Sequence, residues 1–200
     1  WLALRDGRPV GRISAQIDQL HLAQHRDEAG YFGLLEGEDD PAVFAALFSA
    51  AENWLRQEGM RRVIGPLNLH INEEVGLLVD GFATPPFVLM GHARPWYGPA
   101  VEASGYAGVK DLLAYHVRPD FEAPRVMARL AQGVPARGVV RPLRRGEIAA
   151  DAAIMLDIFN DAWQDNWGFV PLARAEWEET VSTLTRLMPD EYIQIAEYDG

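Results

Sequence analysis

Trp1-Leu2-Ala3-Leu4-Arg5-Asp6-Gly7 runs almost directly into Pro9-Val10-Gly11-Arg12-Ile13-Ser14-Ala15-Gln16-Ile17-Asp18. An Asp-Gly pair between two apolar runs is a strong hairpin signal, because both central residues of the favoured turn need positive φ. Ile13, Ala15 and Ile17 alternate with Arg12, Ser14 and Gln16, which predicts a strand with one buried and one polar face. The far end repeats the pattern. Gln194-Ile195-Ala196-Glu197-Tyr198 runs into Asp199-Gly200, and no return strand follows. A lone strand leaves backbone groups unpaired. The two ends therefore suggest a tandem repeat, entered inside one copy and left inside the next.

Composition narrows the class. The 200 residues are 48% hydrophobic, enough for a packed core and too much for a disordered chain. There is no cysteine, which excludes a disulfide framework and a thiolate metal site. That usage fits a reducing compartment, and a cytoplasmic location is expected. No apolar run reaches the roughly 18 to 20 residues of a membrane span, so no membrane partner is expected. A net charge of −11 disfavours nucleic acid, which needs a basic footprint. The bias to Arg and Ala suggests a bacterial source.

Working outward from the first hairpin, residues 19 to 28 read as a polar loop and Tyr31 to Leu35 as a strand. Asp39 or Asp40 can N-cap a helix that starts at Pro41. Phe44, Leu47, Phe48, Ala51 and Leu55 form its apolar stripe, and Gly59 ends it. Val63-Ile64 is a short strand. Residues 65 to 95 read as one long loop, of a length that is usually functional. A helix is expected over Trp96 to Ser104, a strand over Asp111 to Val117 and a short helix over Pro124 to Ala131. Then come a strand at Val139 to Leu143, helices from about Glu147 to Trp163 and Arg174 to Leu187, and a strand over Tyr192 to Glu197. Residues 119 to 137 are the expected linker between residues 1–118 and 138–200.

This order, an α/β (α+β) mixed sheet flanked by helices, resembles the GNAT superfamily of acyl-CoA N-acyltransferases. Arg141-Pro142, Phe159-Asn160-Asp161-Ala162-Trp163, Asn166-Trp167-Gly168-Phe169-Val170-Pro171-Leu172 and Gly105-Tyr106 carry the resemblance. Residues 66 to 95 are similar to blocks of bacterial tandem GNAT-like proteins. One departure is sharp. The turn that would cradle the CoA pyrophosphate reads Leu35-Glu36-Gly37-Glu38-Asp39-Asp40-Pro41. Its acids would repel phosphate, and Pro41 removes an N–H donor.

The resemblance implies an acyl-CoA-dependent N-acyltransferase acting on a small amine or amino-acid-like acceptor, with acetyl-CoA or another acyl-CoA as co-substrate. The altered turn keeps open an alternative: a catalytically degenerate binding or scaffold protein. A homodimer is compatible with either. Asn68 would contact the cofactor arm, although Pro66-Leu67-Asn68 is also ordinary turn chemistry. Asn72, Glu73 and Glu74 offer an amine site, with Glu73 as the general base. His92 is a candidate acceptor contact and acid/base group. Tyr97 is a candidate general acid, although the family's usual position aligns nearer Val101. Trp163, Asp165, Asn166 and Trp167 would line the acceptor pocket; packing between helices is their alternative role. His21 and His25 have metal-like spacing but no accompanying Glu, and no metal site is expected.

Overall fold

A computed structural model describes every residue except 119, 121, 133–137, 199 and 200. The fold is mixed α/β. Among the described residues there are six α-helices, a four-stranded mixed sheet and two small two-stranded sheets. The chain forms two compact units. One comprises Trp1–Leu112 with Asn166–Val170, the other Leu113–Asp165 with Pro171–Gly200. The expected hairpin tip at Asp199-Gly200 and part of the 119–137 linker lie outside the described residues.

The first unit is built on the opening hairpin. Strands β1 (Leu2–Arg5) and β2 (Arg8–Gln16) pair antiparallel across Asp6-Gly7, with both turn residues at positive φ. Strand β3 (Ala29–Gly37) continues the antiparallel order. Helix α2 (Pro41–Gln57) then crosses over to β4 (Arg62–Ile64), which pairs parallel to β3. Asp40 caps α2 by accepting from the Ala42 N–H, and Pro41 takes the first position. The buried face of α2 carries Val43, Phe44, Leu47, Phe48, Ala51 and Leu55. It packs on Val10, Ile13, Phe32 and Leu35 of the sheet. Tyr97 and Val101 of α3 (Tyr97–Ala103) close this core. Phe32, Phe48 and Tyr106 form an aromatic cluster with centroids 4.9 to 5.1 Å apart, and the Tyr106 hydroxyl donates to Glu52.

Three local expectations are corrected. Residues 19 to 28 are not all loop: Asp18 accepts from the N–H groups of Leu20 and His21 and so starts helix α1 (Gln19–His25). Its buried residue is His21, so apolar periodicity gave no signal. Residues 65 to 95 are not all irregular either. Leu67–Asn68 (β5) and Glu74–Val75 (β6) pair antiparallel. Conversely, 111 to 117 form no strand. Leu112, Leu113, Tyr115 and Val117 are exposed, so the apolar alternation there has no sheet to join.

The second unit has helix α4 (Arg125–Gln132) and a β-α-α-β arrangement. Strand β7 (Gly138–Pro142) pairs antiparallel with β8 (Gln194–Tyr198), with α5 (Ile148–Trp163) and α6 (Arg174–Leu187) between them in sequence. Asp151 of α5 is completely buried. Its carboxylate accepts from both guanidinium Nη atoms of Arg141, at 2.9 and 3.0 Å, and from the backbone and side chain of Arg144. Those hydrogen bonds, from Arg144 first and Arg141 second, hold its pKa well below the usual carboxylate range. Trp177 ties α6 to α5 by donating to the Ala152 carbonyl at 2.7 Å. No described helix is long and apolar enough to cross a membrane.

Two outcomes follow. Because the folded Asp151 is the stronger acid, its stabilisation is complete above the unfolded carboxylate pKa of about 4 and is lost as pH falls below it. Asp151→Asn should lower stability by about 3 kcal/mol near neutrality and flatten the acid limb, read by urea titrations from pH 7 down to about pH 2. Gly33→Ala would place a Cβ 1.9 Å from the Leu67 carbonyl oxygen. It should cost about 3 kcal/mol in the same titrations.

Candidate functional site

Strands β3 and β4 pair only over Ala29–Tyr31 against Arg62–Ile64. Beyond that, β3 runs on to Gly37 while the other chain turns at Gly65-Pro66. At the parting, β3 bulges. Arg12 pairs with Glu36 but Ser14 with Gly33, which leaves an extra residue on β3, and Leu34 sits at φ 47. The Leu34 N–H is thereby freed from the ladder.

β5 fills the gap through side chains. The Asn68 Oδ1 accepts from the Leu34 N–H at 2.7 Å. Its Nδ2 donates to the Glu74 Oε2 at 2.8 Å. The two residues face each other across the β5–β6 pair, so register fixes the contact. From the other side, the Gln16 Nε2 donates to the Leu67 carbonyl at 2.6 Å, passing next to Gly33. The Ser14 Oγ and Gln16 Oε1 are buried and have no partner among the described residues. Buried polar atoms without partners are costly and rare in folded proteins. The site thus holds a half-buried carboxylate, an amide that orients it, and two unsatisfied side-chain oxygens.

The acidic turn before α2 is engaged by the protein itself. Arg5 pairs with Glu38 and Asp40, and Arg8 with Glu38. The acids of this turn are therefore largely neutralised by arginines of the first hairpin, as well as capping the helix. Gly37 is gripped from both sides: its N–H donates to the Tyr97 hydroxyl at 3.0 Å, and its carbonyl accepts from the Trp96 indole at 3.2 Å.

The residues singled out in the sequence lie as follows. Asn68 and Glu74 are joined directly. Glu73 points away and is exposed, 3.9 Å from His70, as expected for the neighbour of a strand residue. Asn72 donates to the Val170 carbonyl at 3.2 Å. His92 is exposed and approaches the Phe82 carbonyl at 3.3 Å. Tyr97 is buried against Phe44, with its hydroxyl on Gly37. Trp163 and Asp165 belong to the second unit, where the half-exposed Trp163 stacks on Phe159. Asn166 and Trp167 belong to the first, and the Asn166 carbonyl accepts from the Phe169 N–H.

Sequence reasoning assigned no role to Ser14, Gln16, Leu34 or the histidine pair of α1. Ser14 and Gln16 sat on a face read as polar and therefore wet. The signal that could have found them is Gly33, which sits opposite Ser14 and has no side chain to cover that face. The His21 and His25 rings are tilted against each other, with centroids 4.4 Å apart. Each spends its Nε2 elsewhere, His21 on Asp27 at 2.9 Å and His25 on the Phe169 carbonyl at 2.7 Å. Burial works to raise the pKa of Asp27, but hydrogen bonding to His21 outweighs it with help from the Ala29 N–H and Arg62, and the carboxyl stays ionised. Tyr31, packed edge-on to His21, is pushed well above the ordinary phenol value by burial and then by Asp18 and Asp27.

No family model matches this chain, and no solved structure matches it. Two curated relatives do. The chain is 46% identical over 202 residues to a protein of Caulobacter vibrioides named "Bacterial ceramide synthase", covering all of this chain and 53% of that one. It is 43% identical over 201 residues to Protein YghO of Escherichia coli K12, again covering all of this chain and 52% of the relative. The chain spans about half the length of the curated relatives it matches. These names correct the reading of an acyl-CoA-dependent N-acyltransferase for a small amine or amino-acid-like acceptor. They correct equally its alternative, a degenerate GNAT-like scaffold, and the N-acetyltransferase label. Whole-chain similarity at this level links the sequence to a protein named for making a ceramide, which is a lipid.

Proposed function

We propose that this chain contributes to ceramide formation. The 46% identity along its whole length to the Caulobacter protein carries the reading. A ceramide is the amide of a long-chain amino alcohol with a long-chain acyl group. In the reaction proposed, the neutral amine nitrogen attacks the acyl carbonyl carbon. A C–N bond forms, the bond to the activating group breaks, and the amine gives up a proton.

The first unit offers parts suited to this. Glu74 is the proposed base: its carboxylate is half-buried and aimed by Asn68, whereas Glu73 stands in solvent. An oriented carboxylate near the amine takes the proton as the bond forms. Ser14 and Gln16, with their unsatisfied buried oxygens, offer hydrogen bonds to the hydroxyl groups of an amino alcohol. Asn68 is then a positioning residue, since it acts through Glu74 and Leu34. The proposed setting is the bacterial cytoplasm.

The test is conversion of a long-chain base and a panel of activated acyl donors into ceramide by the full-length protein, read by mass spectrometry of extracted lipid. Ceramide should form with at least one donor. Glu74→Gln should lower kcat by about a hundredfold or more with little change in KM and no loss of stability. Asn68→Ala should lower kcat less and cost about 1 kcal/mol of stability through the lost hydrogen bonds. Absence of ceramide with every donor overturns the reading, and a fully active Glu74→Gln protein removes Glu74 from it.

A further inference from the structure

Residues 81 to 91 read Gly-Phe-Ala-Thr-Pro-Pro-Phe-Val-Leu-Met-Gly, without one charged side chain. A run of this kind normally lies in a core. Here Phe87, Val88, Leu89 and Met90 are 72, 90, 56 and 41% exposed. The Met90 N–H donates to the Phe87 carbonyl at 3.1 Å, and Leu89 takes a left-handed φ of 61. Four consecutive apolar side chains are therefore carried on a tight turn behind Pro85-Pro86. Val79, Val109 and Leu112 of the same unit are also largely exposed.

Gly76 connects these segments to the candidate site. It follows β6 directly, two residues after Glu74, and donates to the Pro66 carbonyl at 2.9 Å. A Cβ at Gly76 would lie 3.7 Å from the Leu112 Cδ1, and one at Gly91 would lie 3.7 Å from the Gly76 carbonyl oxygen. The base of the apolar turn, Leu112 and the end of the β5–β6 pair thus meet around one residue. The exposed apolar surface starts beside the Asn68–Glu74 pair.

We propose that the Phe87–Met90 turn inserts into the interfacial layer of a lipid bilayer and delivers long-chain substrates to the Asn68–Glu74 site. The proposal rests on the ceramide reading, and it departs from the sequence expectation of no membrane partner. Two observations favour a bilayer over a protein partner. Consecutive apolar residues on a turn make a narrow wedge, whereas protein interfaces are broad and rimmed with polar groups. The proposed substrates are themselves bilayer-borne, and every methylene of their chains opposes release into water. With a net charge of −11 the attraction is apolar, so zwitterionic lipid is the fitting surface and anionic lipid repels.

Flotation of the full-length protein with phosphatidylcholine vesicles tests this. The protein should float with the vesicles, undiminished in high salt and less with phosphatidylglycerol. The combined substitutions Phe87→Ser, Val88→Ser and Leu89→Ser should weaken binding more than about tenfold. They should leave the circular dichroism and melting temperature unchanged, because these side chains are exposed. Turnover of vesicle-borne long-chain substrates should fall in parallel, while turnover of short-chain, water-soluble analogues should be retained. Wild-type protein that stays off phosphatidylcholine, a triple variant that binds equally, or a variant that alters only the oligomeric state in light scattering would each overturn the proposal. If wild-type protein binds vesicles but converts neither substrate class, the ceramide reading fails and membrane docking stands.

Discussion

The Leu67 carbonyl oxygen occupies the space that a side chain at residue 33 would fill. That close approach is the constraint on which the site depends. It lets β5 lie against β3 at the point where β4 has turned away. Gln16 then reaches across to hold the Leu67 carbonyl, and Asn68 satisfies the Leu34 N–H released by the bulge. Glu74 is oriented only because Asn68 is already fixed on its other side. A backbone parting that would otherwise expose unpaired groups becomes a place where amide side chains, a carboxylate and two unsatisfied oxygens gather. The core built by α2 and α3 supplies the rigid sheet against which this happens.

Elements whose physics is local were legible in the sequence. The Asp6-Gly7 turn, the capped and Pro-started α2, and the two long helices of the second unit each follow from caps, turns or apolar period. The failures arise where periodicity and burial do not go together. Helix α1 buries a histidine rather than an apolar stripe, and β5 and β6 are two residues each and held by side chains. The 111–117 run has strand-like alternation but no partner. The site was half legible. Asn68 and Glu74 stood out as polar residues in a long loop. Ser14 and Gln16 did not, because strand alternation cannot tell a wet polar face from one roofed by another segment.

The acidic turn before α2 shows how far charge alone can be read. Its sequence promised repulsion of phosphate. In the fold, Arg5 and Arg8 reach it from the first hairpin, so its acids are members of an exposed ion-pair cluster. Such pairs contribute little individually. Their arrangement instead links the tip of the hairpin to the start of the helix. The functional reading moved for a different reason: a relative 46% identical along the whole chain is named for a ceramide, which no spacing of polar residues in this sequence announced.

His25 and Asn72 grip the carbonyls of Phe169 and Val170, nearly a hundred residues or more further along the chain. The first unit is therefore not contiguous in sequence. On the ribosome, where synthesis runs N-terminus first, its sheet and α2 emerge early, but these two side chains meet their acceptors only after residue 170 has been made. A fragment ended at residue 112 would keep the hairpin and the Asn68–Glu74 pair yet lack the strap across α1. The unit has an early-formed body and a late-arriving closure, and a boundary drawn from sequence continuity would cut between them.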